Sequence, residues 1–98
     1  MKRTKLSDVL QNGQPGTSIT VMGWVRTKRV NKNVAIVALN DGSTIHNLQS
    51  VFDLSRFDEE VMRPVTTGAG ISVTGVLVES MGKGQTVELQ AESLLVFG

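Results

Sequence analysis

The stretch Thr17 to Val30, TSITVMGWVRTKRV, constrains the fold more than any other part of the chain. Its first half alternates, with Ile19, Val21, Gly23 and Val25 on one face and Thr20, Met22 and Trp24 on the other, the period of a half-buried β-strand. The strand then runs on into Arg26, Lys28 and Arg29 instead of closing in a turn. Gly23 lies inside it, where a missing side chain marks a bulge or a sharp bend. A long, bent strand crossing a small sheet is what closing a five-stranded barrel requires. The bland reading of the cations is a solvated strand end.

The remaining segments supply the other strands. Leu6 to Leu10 reads as a short helical turn capped by Ser7, and Gln11 to Gly16 as a turn into the first strand. Val30 to Asn33 is a hairpin connection in which Asn tolerates positive φ. A second strand covers Val34 to Leu39. Asn40-Asp41-Gly42-Ser43 is a further turn, and a third strand runs from about Thr44 to Phe52. The period then changes: Asp53 to Val65 places Leu54, Phe57, Val61 and Met62 on one helical stripe, and Pro64 ends it. After the loop Thr66 to Gly70, Ile71, Val73, Gly75 and Leu77 alternate in a fourth strand. Ser80 to Gln85 is a glycine-bearing loop. In the fifth strand Val87, Leu89 and Ala91 oppose Thr86, Glu88 and Gln90. This order, three strands, a helix, then two strands, predicts an all-β Greek-key barrel of the OB-fold kind over residues 1–98, a fold that binds oligonucleotides or oligosaccharides.

Ninety-eight residues make one domain. There is no cysteine, so disulfides and thiolate metal sites are excluded. MKRTKLSD is not followed by an apolar targeting segment, and no apolar run approaches the ~20 residues of a membrane span. The expectation is a cytoplasmic domain with no membrane partner. The net charge of +1 hides a division: residues 1–33 carry seven cations against Asp8, the rest three cations against eight acids. Such asymmetry fits a basic patch for a polyanion.

Catalytic groupings and metal sites are not expected. His46, the only histidine, has no nucleophile in a recognisable motif. Gly68-Ala69-Gly70 lacks the third glycine of a dinucleotide loop, and Gly82-Lys83-Gly84 lacks P-loop spacing. Asp58, Glu59 and Glu60 splay around a helix as a solvated face. A binding surface remains. Single-stranded RNA is held by cations on its phosphates, flat side chains under its bases and polar groups at their edges. Arg26, Lys28, Arg29 and Lys32 supply the first, Gln49 and Glu88 the last. The flat groups are few: Trp24, Phe52, Phe57 and Phe97.

Gly23-Trp24-Val25-Arg26-Thr27-Lys28-Arg29, Ala38-Leu39-Asn40-Asp41-Gly42-Ser43 with Gln49, Thr66-Thr67-Gly68, Val73-Thr74-Gly75, and Gly84-Gln85 with Glu88-Leu89-Gln90-Ala91 together resemble the N-terminal anticodon-binding domain of bacterial asparaginyl-tRNA synthetases. DGSTIHNLQ and GKGQ favour this family over the aspartyl and lysyl enzymes. The resemblance implies a tRNA(Asn) anticodon loop as partner. It also implies a class IIb ligase whose ATP and magnesium are used in a separate C-terminal domain, with no cofactor in these 98 residues. In the family a second-strand aromatic stacks on the central anticodon base, and Ile36 stands at that position here. The third-strand glutamine that reads the central uracil corresponds to Gln49. The fifth-strand glutamate that accepts from the first base, guanine, corresponds to Glu88. Isoleucine offers dispersion but no π face. Family enzymes dimerise chiefly through the catalytic domain, leaving the domain alone free to be a monomer.

Two other function classes stay open at this level. One is a free-standing OB-fold that binds single strands without sequence preference, which calls for several exposed aromatics. The other is a protein-interaction barrel, which calls for a large exposed apolar patch.

Overall fold

The first strand, β1 (Ser18–Val30), belongs to two strand pairs at once. From Ser18 to Trp24 it pairs antiparallel with β4 (Gly70–Glu79), and from Trp24 to Val30 with β2 (Val34–Asn40). Trp24 is the changeover, opposite both Gly70 and Asn40. Gly23 is needed there because a Cβ would lie 2.4 Å from the Asn40 carbonyl oxygen. The bulge itself sits further along: Val25 faces Leu39 and Thr27 faces Ala38, leaving Arg26 as the extra residue.

β3 (Leu48–Asp53) and β5 (Val87–Val96) complete a closed barrel in the order β1-β2-β3-β5-β4. β3 and β5 are parallel and meet through Ser50↔Leu89 and Val51↔Gln90, whereas the other pairs are antiparallel. The computed structural model describes residues 5–80 and 87–97. The glycine-bearing loop expected over Ser80–Gln85 falls almost entirely outside them, as do Lys2, Arg3 and Thr86.

The barrel interior is apolar, filled by residues such as Val21, Val37, Leu39, Leu48, Ile71 and Leu89. Each such side chain contributes roughly 1.5–3 kcal/mol on burial. The alternation expected for the fourth and fifth strands is present, with Ile71, Val73, Leu77, Val87, Leu89 and Ala91 all buried. Ser50 is the exception in this lining: it is fully buried and its hydroxyl has no hydrogen-bond partner. Ser50→Ala is therefore expected to stabilise the domain by about 1 kcal/mol, because a buried unpaired hydroxyl costs that much or more. The measurement is a urea titration, with a higher midpoint and unchanged slope expected. A lower midpoint would mean that the hydroxyl is satisfied.

Several boundaries differ from the sequence expectation. The helix is α1 (Leu6–Asn12), longer than Leu6–Leu10, and Ser7 does not cap it: Lys5 is the N-cap, without a side-chain bond. Its first donors are satisfied from a distant loop, Leu6 N–H to the Asp41 carboxylate and Ser7 N–H to the Ser43 hydroxyl, each at 3.0 Å. The β1–β2 hairpin uses no positive φ. Asn31 instead accepts from the N–H groups of Asn33 and Val34 through its side chain. β3 begins at Leu48, not Thr44.

The helix expected over Asp53–Val65 contracts to α2 (Glu59–Met62). Asp53 binds the backbone N–H and hydroxyl of Ser55, forming a local turn that holds its carboxyl below the usual range. Asp58 then caps α2 by accepting from Val61 N–H. Phe57 and Met62 are buried as expected, Phe57 edge-on to Phe52 at 5.1 Å, but Val61 faces solvent at 44 % exposure. β5 continues past Ala91 to Val96 because Glu92 is an extra residue opposite the Thr74–Gly75 step.

Candidate nucleic-acid interface

Register and burial together separate the barrel wall into inward and outward rows. The inward row Lys28, Val37, Ser50, Leu89, Leu77 is buried beyond Lys28. The neighbouring row Arg29, Ile36, Val51, Gln90, Val76 faces out. Ile36 is half-buried between Ala35 and Val37, both fully buried. The next row of the same parity holds Thr27, Ala38 and Gln49, with Ala38 covered at 2 % exposure, and the β3–β5 register carried back one residue sets Glu88 beside Gln49. Both side chains are half-buried. With adjacent strands ~4.8 Å apart and diagonal neighbours at ~7–8 Å, Ile36, Gln49 and Glu88 share one shelf.

The four cations of the sequence reading separate. Arg29 stands at the end of the Ile36 row and Arg26 projects from the bulge; both are exposed. Lys32 is exposed in the β1–β2 hairpin, where the Asn31 side chain holds the turn. Lys28 points the other way. Its ammonium donates to the Met62 carbonyl at 3.0 Å, closing the C-terminal end of α2. With Val30, Leu54, Glu59, Met62 and Arg63 it lines a groove of about 530 Å³ on the α2 side.

The reversal follows from the bulge. Uninterrupted alternation from Val25 would turn Lys28 outward and Arg29 inward; one extra residue at Arg26 inverts both.

Above the Gln49 row, Trp24 lies on the same outward side, paired with Asn40 and 39 % exposed. Its ring lies beside Gly42, where an added Cβ would be in ordinary contact with Cη2 at 3.5 Å. Gly42 belongs to a loop that Asn40 holds from beneath. The Asn40 side chain, 6 % exposed, donates to the carbonyls of Thr44 and His46 and to Asn47 Oδ1, and accepts from Gly42 N–H at 2.7 Å. The Asp41-Gly42 turn was readable as a motif, whereas Asn40 gave no signal beyond being a turn residue. Thr27, Val51 and Gln90 also join the outward shelf, an assignment that strand register alone supplies.

Asp58, the N-cap of α2, and Glu59 and Glu60 in its first turn are exposed, and Glu60 pairs with Arg63 at 2.8 Å. Among the described residues no group of three or more His, Cys, Asp or Glu is placed to hold a metal, and no helix is long and apolar enough to cross a membrane.

Residues 19–97 match a tRNA-anticodon family described as an OB-fold nucleic acid binding domain. The chain is 53 % identical over 98 residues to an asparagine–tRNA ligase of Parabacteroides distasonis and 56 % identical over 98 residues to one of Porphyromonas gingivalis. In each case the match covers 100 % of this chain and 21 % of the relative, so the chain spans about a fifth of the curated relatives' length. The barrel superposes on asparaginyl-tRNA synthetase from Pyrococcus horikoshii, complexed with asparaginyl-adenylate, with a TM-score of 0.81 at 16 % identity. That match covers 98 % of this chain and 22 % of the other, and shows the shared fold.

Proposed function

The chain belongs to the tRNA-anticodon family of OB-fold nucleic acid binding domains, and on that premise we propose that it reads the anticodon loop of an asparagine tRNA. It does so as the recognition module of a cytoplasmic asparagine–tRNA ligase, the enzyme to whose anticodon-binding region it is homologous. The ATP- and magnesium-dependent attachment of asparagine is assigned to the rest of such an enzyme. The observation that carries the reading is the shared outward face of Ile36, Gln49 and Glu88, alternating with core residues and edged by Arg29.

Each group has a chemical task. Arg26, Arg29 and Lys32 supply charge for loop phosphates, the general source of single-strand affinity. Lys28 acts indirectly, by holding α2 against the strand that carries the two arginines. Ile36, with Val51 beside it, covers the central base by dispersion. The carbonyl and amide of Gln49 match the mixed edge of uracil. Glu88 is an acceptor-only group facing the two N–H donors of guanine.

Glu88→Gln tests the reading most directly. It keeps shape but sets an amide N–H against a guanine N–H. The variant is expected to lose about 1–3 kcal/mol against a GUU stem-loop, by analogy with bidentate base readout. It should lose much less against a stem-loop with its first anticodon base changed. Folding is expected to be unaffected, since Glu88 faces out between buried Val87 and Leu89. Equal losses on both RNAs would reduce the domain to a single-strand binder without sequence preference.

A further inference from the structure

We propose that Trp24 is the flat platform of this interface, stacking on a base of the anticodon loop that neighbours those read at Gln49 and Glu88. The inference rests on the anticodon reading above and adds a contact to it.

Ile36 leaves the shelf without an aromatic surface, since Phe52 and Phe57 are buried and edge-on to each other in the core and Phe97, though exposed, follows the end of β5 beside Gly70. Trp24 is the aromatic that the outward side of β1 and β2 does display. It stands one row above Thr27, Ala38 and Gln49. Strand and residue spacings put its backbone about 12 Å from that of Gln49, within reach of one RNA loop laid across both.

One edge of the indole lies along a loop that is itself tied down. Gly42, at φ 84°, lies beside one edge of the ring, close enough that an added Cβ would be in ordinary van der Waals contact with it. Its N–H is tied to Asn40 Oδ1, and the two amide N–H groups of Asn40 in turn fix the loop, shared among three acceptors. A ring so placed loses little freedom on binding, which is where preorganisation adds affinity. Two residues on, the bulge projects Arg26 outward, so a cation for the phosphate accompanies the face for its base. The nearby Asp41 carboxylate is occupied by Leu6 N–H and by Ser43. Stacking of this kind is indifferent to base identity, so Trp24 adds affinity while Gln49 and Glu88 discriminate.

The chain has one tryptophan and no tyrosine, so its intrinsic emission reports on Trp24 alone. Titration with a GUU stem-loop is expected to reduce that emission by roughly half or more as a base covers the ring. The midpoint should equal that from the anisotropy of a labelled stem-loop. Trp24→Leu is expected to weaken the GUU stem-loop and one with a changed first anticodon base by the same factor, about tenfold or more, while Trp24→Phe retains most of the affinity. Unchanged emission while anisotropy saturates would overturn the Trp24 contact and leave the anticodon reading standing, as would full affinity in Trp24→Leu. If Trp24→Leu does not fold, as judged by circular dichroism, the emission titration of the unaltered chain decides alone. Absence of any anisotropy change with the unaltered chain would overturn both.

Discussion

Gly75→Ala is expected to remove about 4 kcal/mol of stability, most of what a domain of this size possesses. A Cβ at Gly75 would sit 2.1 Å from the Gln90 carbonyl oxygen, 2.9 Å from its carbon and 3.1 Å from the Ala91 Cα. All three are backbone atoms, so no rotamer change relieves the clash. The neighbouring Glu92 bulge already uses the local slack of β5. The strands must part where nine consecutive β4 residues otherwise pair. A thermal melt followed by circular dichroism checks this. A loss under about 1 kcal/mol would mean that β4 and β5 separate here at little cost, contrary to ordinary close packing.

Asn40→Leu is the second large effect, at about 3 kcal/mol. At a site only 6 % exposed, the side chain shares its two amide N–H groups among three acceptors and accepts from Gly42 N–H. Leucine fills similar volume but leaves the Thr44 and His46 carbonyls and the Gly42 N–H without it, at about 1–3 kcal/mol for each group that stays buried. The consequences extend beyond the loop. Asp41 and Ser43 supply the first hydrogen bonds of α1, so helix content should fall with them. Denaturant titration with far-ultraviolet circular dichroism reads both. A variant of unchanged midpoint would mean that water replaces these bonds at no cost.

Where the chain was legible, the reason is local. β4 and the first half of β5 follow strict alternation because nothing interrupts their pairing between Gly75 and Glu79. Where it was not, one residue of mismatch or one side-chain bond intervened. At Glu92 the extra residue moves the inward set from Val87, Leu89 and Ala91 to Leu94 and Val96, so the second half of β5 is invisible to a period-2 search. At Arg26 the same device exchanges Lys28 for Arg29 on the outward face. Between Asp53 and Val65 the apolar spacing was helical, yet Asp53 drew Ser55 into a competing local turn and Asp58 became the N-cap, so the helix starts only at Glu59 and shrinks to one turn. The outward positions of Gln49 and Glu88 agree with simple alternation, because no irregularity separates them from their buried neighbours.

The parallel β3–β5 contact has a thermodynamic consequence. Only two register pairs join these strands, against nine between β4 and β5, and the joined residues lie far apart in sequence. This is the seam along which the cylinder opens with the least loss of pairing, and closing it joins two strands that α2 and β4 separate in the chain. Gln49 is on one lip and Glu88 on the other. Any ligand that engages both lips spans the seam, so part of its binding free energy is the work of keeping the cylinder shut. Occupancy and closure are then a single linked equilibrium: a looser seam lowers apparent affinity without touching a contact, and a bound ligand suppresses opening in proportion to its concentration over its dissociation constant.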